Sequence, residues 1–522
     1  MRVSAYVIGS RLPQQPFYIM AHGLTGAVDK VPSSIGQYLV DHRGAEIYYA
    51  DSPLSVLSDS DLSTLIERGY VTDLNHEQEK LNMVRVSAAL HSSDLTNSSP
   101  SFTFIPTYLC NLRCPYCFQS HEMHAGKGEF SAVISKELVD CAFGVIDRFC
   151  EPGSVASALG ISSHDVSAQP RAAVHAPSAI GLFGGEPLSE VTHSIVAYIL
   201  ELSLRRGRPL SAITNGVQLG EFKSMLGPGK IEKLQITIDG LQELHDKRRT
   251  GPQFRSTFGT ITDNVEMALG RGVRVELRVN VDEHNSTHVS ELAEYFSNRG
   301  WNNNSLFSVH TAAITSKSSR ATGYSHAVVA SLTTAIRSNG HSFMNGYEVH
   351  ARNLVSTCLG SGEYPFQRVA HCSAETGQLM FDPMGNIYSC WEEIGNKESR
   401  VATYDASGIH FAGKTLGDWL ARFPGAIEQC AECPYALIHT SGCGLHAKAN
   451  TGTIFASACE SFQEYFPQTL ADAYQEWEDL LLGREGTRVS AFGDAIKGFT
   501  PGNLIQISPS SVRNISSSAE RI

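Results

Sequence analysis

Phe102-Thr-Phe-Ile-Pro-Thr-Tyr-Leu-Cys110-Asn-Leu-Arg-Cys114-Pro-Tyr116-Cys117-Phe118 joins an apolar, strand-like run to three cysteines spaced C-x3-C-x2-C. Soft thiolates are the ligands that iron–sulfur clusters select, and a fully ligated [4Fe–4S] cube takes four cysteines. Three closely spaced thiolates therefore hold a cube and leave one iron open. A zinc knuckle, or buried cysteines that only pack, fits the triplet as well. Tyr116, beside the last cysteine, is an aromatic positioned to cover a flat ring.

Outward from that run, strands alternate with helices as far as residue 314. Phe102–Leu109 leads to a helix over Ala132–Arg148, and Ile180–Phe183 to one over Glu190–Arg206. Further strands are expected at Leu210–Thr214, Lys233–Ile238, Val273–Val281 and Ser305–Ile314. Repeated βα units imply a parallel sheet with right-handed crossovers. Periodicity alone does not choose between a partial barrel and a doubly wound sheet. Gly184-Gly185-Glu186-Pro187 follows the second strand, where glycines let a ligand approach the backbone and a carboxylate pairs with an ammonium group. Thr214-Asn215 and Thr237-Ile-Asp239 close the next two strands, and Arg278 and Asn280 share one face of the strand after. His245-Asp-Lys-Arg-Arg249 reads as an active-site lid or as a solvated turn.

With 522 residues, 18% charged, the composition is that of an ordinary globular chain. A formal net charge of −12 argues against generic nucleic-acid binding, for which a basic face is expected. Twelve cysteines with no signal-peptide pattern point to metal ligation or catalysis and not to disulfides. No run of about twenty apolar residues exists, so no membrane span is expected and the reading is cytoplasmic.

The triplet, its aromatic and the GGEP turn one strand later together resemble the radical S-adenosylmethionine (radical SAM) family. The resemblance implies an α/β fold built on a partial (β/α)6 barrel over residues 96–314. Cys110, Cys114 and Cys117 would carry a [4Fe–4S] cluster whose open iron chelates SAM. Tyr116, Gly184, Gly185, Glu186, Asn215, Arg278 and Asn280 would bind SAM.

The C-terminal cysteines extend the resemblance. His371-Cys372 leads into Phe381-Asp-Pro-Met-Gly385-Asn-Ile-Tyr-Ser-Cys390, a hairpin with a Gly-Asn turn, then Cys430-x2-Cys433-Pro, Cys443-Gly and Cys459. This order is similar to the SPASM extension of peptide and sulfatase maturases, expected over 358–482 after a linker at 315–357. By that likeness Cys372, Cys390 and Cys443 belong to one auxiliary [4Fe–4S] cluster, and Cys430, Cys433 and Cys459 to another. The family's next cysteine is replaced here by His439, which is either a ligand or a bystander. Cys358, fourteen residues before Cys372, is a further candidate ligand. Structural zinc is the competing reading of this C-terminal set. Cys141 and Cys150 read as packing residues.

Residues 1–95 read as strands at Phe17–Met20 and Glu46–Tyr49 with a helix over Ser58–Gly69, a pattern that suits a small winged-helix module. It resembles the leader-peptide recognition domains fused to peptide-modifying radical SAM enzymes, and a plain packing extension is the alternative. Pro152–Pro177 reads as a loose insertion and 483–522 as a polar tail. The resemblance implies SAM cleavage to a 5′-deoxyadenosyl radical that takes hydrogen from a peptide. The expected outcome is oxidative maturation of a ribosomally made peptide, with flavodoxin or ferredoxin as electron donor. A formylglycine-forming sulfatase maturase is an alternative. Such enzymes carry an Asp where this chain has Trp391, so Glu392 and Glu393 are the candidate bases. A peptide epimerase, a radical SAM enzyme acting on a small molecule and a non-enzymatic zinc protein complete the alternatives.

Overall fold

The computed structural model describes residues 1–13, 15–161, 179–314, 325–361 and 367–481. Most of the expected insertion and the whole 483–522 tail lie outside these residues. The N-terminal module opens with an antiparallel meander, β1 (Val7–Arg11), β2 (Phe17–His22) and β3 (Val28–Pro32). Three helices follow: α1 (Ser33–Asp41), α2 (Asp59–Glu67) and α3 (His76–Asn97). Ser58 caps α2, its Oγ accepting from Asp61 N at 3.1 Å. The strand expected at Glu46–Tyr49 is instead a single bridge between Arg2 and Glu46 followed by a 3-10 turn. Nothing in the periodicity announced α3. Its buried stripe is Glu79, Met83, Ser87 and His91, at helical spacing but mostly polar.

The main sheet has eleven strands: β4 (Phe102–Phe104), β5 (Ile180–Leu182), β6 (Leu210–Thr214), β7 (Ile231–Thr237), β8 (Arg274–Val281), β9 (Phe307–Ala313), β10 (Met344–Asn345), β11 (Leu379–Phe381), β12 (Asn386–Tyr388), β13 (Ala402–Asp405) and β14 (Gly408–Phe411). Their spatial order is β10-β9-β8-β7-β6-β5-β4-β11-β12-β13-β14. All six strands expected between 102 and 314 are present, parallel and in sequence order. The sheet does not stop there. The described part of the expected 315–357 linker holds helices His326–Ser338 and Val349–Val355 and adds β10 to one edge. On the other edge β11 pairs parallel with β4, and the expected 381–390 hairpin forms between β11 and β12.

Helices Lys136–Phe149, His193–Leu204, Phe258–Gly270 and Val289–Asn298 supply the crossovers. The first buries Val139, Ala142, Phe143, Ile146 and Phe149, an apolar stripe at helical spacing, and its N-terminus is capped by Ser135. Among the described residues no helix is long and apolar enough to cross a membrane.

The C-terminal extension is pinned by an ion pair between Arg422 and Glu375, 0% and 1% exposed. Arg422 also donates to the carbonyls of Ile454, Ser441 and Ala456. The N-terminal module docks on the same extension. Tyr6 Oη donates to Ala431 O at 2.5 Å, Lys80 pairs with Glu432 at 2.6 Å, and Gly23 lies so close to Pro434 that a Cβ would overlap its carbonyl. Removing one partner of a buried ion pair leaves a bare charge. Glu375→Ala is therefore expected to cost about 3–5 kcal/mol, read as a lower urea midpoint, whereas exposed Glu243→Ala leaves the midpoint unchanged.

Candidate functional site

The C-terminal ends of β5, β6, β7 and β8 and the cysteine loop after β4 enclose a cleft of about 470 Å³. Cys110, Cys114 and Cys117 line it together with Tyr116, Gly184, Gly185, Glu186, Asn215, Arg278 and Asn280. The residues that the resemblance assigns to the first cluster and to SAM thus all line this cleft. Phe118, Gln119, Phe183 and Gln235, which the sequence did not single out, line it too, with Arg249 and Trp391.

Backbone contact builds this wall. Gly185 N donates to Thr107 O at 3.0 Å and Glu186 N to Leu109 O at 2.8 Å. A Cβ on Gly184 would lie 2.5 Å from Thr107 O, and one on Gly185 would overlap the carbonyls of Tyr108 and Leu109. Gly184 also has φ +133°, open to glycine and to few others.

Glu186 corrects one expectation. Its carboxylate is 1% exposed and already accepts from Leu188 N at 2.9 Å, Thr214 Oγ1 at 2.6 Å and Asn215 N at 2.7 Å. It ties the ends of β5 and β6 together, leaving the backbone of the GGEP turn as the group that meets a ligand. Burial pushes its carboxyl up, and these three donors pull it back down. Asn215 Nδ2 donates to Asn111 Oδ1 at 2.7 Å and so anchors the cysteine loop from the other side.

Below Tyr116 lies a buried charge network. Tyr116 Oη donates to Asp239, and Arg249 Nη1 donates to Tyr116 Oη at 2.6 Å. Asp239 also accepts from Asn280 N at 3.0 Å. Arg248 sits over the Tyr116 ring at 5.1 Å and pairs with Asp282 at 2.8 Å. His245, Arg248 and Arg249 are 0%, 8% and 6% exposed. His245, Arg248 and Arg249 therefore form a floor beneath Tyr116, while Lys247 between them faces solvent. Burial lowers His245 to about 4, so it is neutral there, with Nε2 3.1 Å from Thr257 Oγ1.

The residues fit a [4Fe–4S] cluster with SAM on three counts. The three thiols line one cleft, and in a cube each takes a different iron. Burial pushes all three thiols up, Cys117 to about 11, so they need a cation to ionise. Arg249 Nε is buried without a hydrogen-bond partner beside the cleft, which suits an anionic group.

Further along the chain, burial holds the Cys390 thiol up, and Glu393, Cys372 and Cys443 add to the effect. Burial likewise holds Cys430 up, with Cys433 and Cys459 adding to it. The His439 ring packs on Phe462 at 4.3 Å and faces His371 at 6.0 Å, and burial lowers it to about 3. Cys358 is buried between the N-terminal module and helix Phe462–Leu481, with Sγ 3.5 Å from Gly26 O. The candidate bases divide. Glu392 lines the cleft beside Trp391, whereas Glu393 is 5% exposed and engaged with Ser399 at 2.9 Å and Lys448 at 3.2 Å.

No family model and no curated protein matches this sequence. Solved structures do match. A histidine-tagged form of anSMEcpe with bound AdoMet aligns with a TM-score of 0.50 and 15% identity, over 77% of this chain and 98% of that one. Native anSMEcpe with AdoMet and the Cp18Cys peptide gives 0.50 and 15%, over 74% and 99%. Streptococcus suis SuiB bound to S-adenosylmethionine gives 0.45 and 13%, over 87% and 98%. The chain thus shares the fold of anSMEcpe.

Gly185→Ala is expected to push the cysteine loop outward, costing about 1–3 kcal/mol and raising the rate at which the thiols of the cofactor-free protein react with a disulfide reagent. Gly259→Ala, with nothing near its Cβ, leaves both readouts unchanged.

Proposed function

We propose that this chain, with its radical SAM fold, is a radical SAM enzyme that modifies a peptide oxidatively. The observation that carries the reading is the shared cleft: three thiols, the GGEP turn and the Tyr116–Arg249 floor meet at the C-terminal rim of a parallel sheet. Cys110, Cys114 and Cys117 would hold the cluster. Tyr116, Asn215, Arg249, Arg278, Asn280 and the Gly184–Glu186 backbone would hold SAM. When bound, the pair supplies a 5′-deoxyadenosyl radical able to take a hydrogen atom from an unactivated carbon.

The chain's own work is to position and to exclude water. Phe183 packs edge-on against Trp391 at 4.6 Å and stacks with Phe118 at 6.2 Å, forming an apolar rim on the cleft. Glu392, on that rim, is the base that accepts a proton at its carboxylate when the substrate is oxidised. A peptide substrate is supported by anSMEcpe, the neighbour solved with the Cp18Cys peptide. The two C-terminal thiol groups would carry auxiliary clusters, with flavodoxin or ferredoxin supplying electrons. The N-terminal module, fixed against the Cys430–Pro434 loop, would dock the peptide's leader.

The test is anaerobic incubation of iron-reconstituted protein with SAM, reductant and short peptides encoded beside its gene, read by mass spectrometry. New 5′-deoxyadenosine with a peptide that has lost hydrogens is expected, and zinc in place of iron with intact SAM would overturn the reading. Cys114→Ala abolishes SAM cleavage. Glu392→Gln lowers peptide conversion about 10²–10⁴-fold while 5′-deoxyadenosine still forms, and Glu393→Gln leaves conversion within a few-fold.

A further inference from the structure

The short helix His121–His124 follows the cysteine loop and carries a histidine that the mechanism above does not use. His124 is 4% exposed, and its backbone carbonyl accepts from Cys110 N at 3.2 Å and Arg113 Nη2 at 3.3 Å. Its ring is therefore fixed relative to the loop.

The hydrogen bonds around that ring determine where its proton sits. Gln119 Nε2 donates to Gly184 O at 3.0 Å, which fixes the orientation of the Gln119 amide. Its Oε1 then faces His124 Nε2 at 3.1 Å and requires a proton there. His124 Nδ1 is buried with no hydrogen-bond partner, so a proton on it would be stranded. The Nε2–H so assigned also lies 3.8 Å from Cys117 Sγ, within reach of a hydrogen bond to sulfur. By contrast, Asn215 Nδ2 is 4.0 Å from Cys110 Sγ and mainly engaged with Asn111.

We propose that His124 is a positioning residue whose Nε2–H, shared between Gln119 and the Cys117 sulfur, raises the reduction potential of the cluster that Cys110, Cys114 and Cys117 hold. The proposal rests on the radical SAM reading. Reduction adds one electron to the cluster, drawn from a low-potential one-electron donor, and no bond forms or breaks. The added negative charge is shared with the ligand sulfurs, so an N–H donor stabilises the reduced form more than the oxidised one.

The experiment is a potentiometric titration of reconstituted protein followed by electron paramagnetic resonance, using the cluster signal that changes when SAM is added. In His124→Phe the ratio of reduced to oxidised cluster at fixed poise is expected to fall about tenfold, a shift of about 59 mV for a one-electron couple. His124→Gln, which returns an N–H near the same place, recovers most of it. Gln119→Leu removes the competing acceptor and shifts the potential the other way. A potential unchanged in both His124→Phe and Gln119→Leu overturns the role of His124 while leaving the radical SAM reading intact. Absence of any SAM-sensitive cluster signal in the unsubstituted protein overturns the radical SAM reading itself.

Discussion

Two backbone hydrogen bonds, Gly185 N to Thr107 O and Glu186 N to Leu109 O, carry the geometry on which the site depends. They are extensions of the β4–β5 ladder past the ends of the strands, into loops whose course would otherwise be free. Because the glycines have no Cβ, the GGEP turn lies directly on the loop that begins the cysteine run. Gln119 closes the contact from the far end of that run by donating to Gly184 O. The triplet is thus held at both ends by the same turn. A thiol loop fixed in this way keeps its shape without a ligand, which reduces the ordering cost that binding must meet.

The buried carboxylates work by the same logic. Glu186, Asp239 and Glu375 are each close to fully buried, and each is surrounded by donors from separate elements. A buried carboxylate is tolerated only where donors or a cation satisfy it. Glu186 draws β5 to β6, Asp239 draws the floor of the cleft to β8, and Glu375 draws the start of the extension to Arg422. Each therefore fixes a loop that the parallel sheet alone would leave loose. The N-terminal module is fixed differently, by the close contact of Gly23 with Pro434 and by surface pairs such as Lys80–Glu432.

The central strands were legible because continuous apolar runs between turn residues leave few other readings, and all six fell within a few residues of their observed places. What escaped the sequence was structure whose buried face is polar. Helix α3 turns Glu79, Ser87 and His91 inward, so no apolar stripe marks it. The His245–Arg249 run looks like a solvated turn because such charges are seldom buried; only the three-dimensional meeting of Tyr116, Asp239 and Asp282 makes them tolerable. Spacing along the chain also says nothing of the contacts that Cys358 makes with Gly26 and His439 with Phe462. Trp391-Glu392-Glu393 was half legible: the pattern offered two carboxylates, and the 3-10 turn over these residues presents one to the cleft and the other to Lys448.

The floor of the cleft also determines the charge of what it receives. Arg248 and Arg249 bring two cations to the buried side of Tyr116, against Asp239 and Asp282 on the same side. Both guanidinium groups keep buried N–H donors without acceptors, Nε of Arg249 and Nε and Nη2 of Arg248. Such donors are costly, and an arrangement that retains them favours an anion. On the open side, burial opposes ionisation of Cys114, and Arg249 is the charge that most favours it. The triplet and its floor are therefore electrostatically coupled: Arg248 is paired with Asp282 within the floor, and Arg249 favours the ionised form of the Cys114 thiol above it. Metal binding, which takes the protons from thiols, would draw on that coupling.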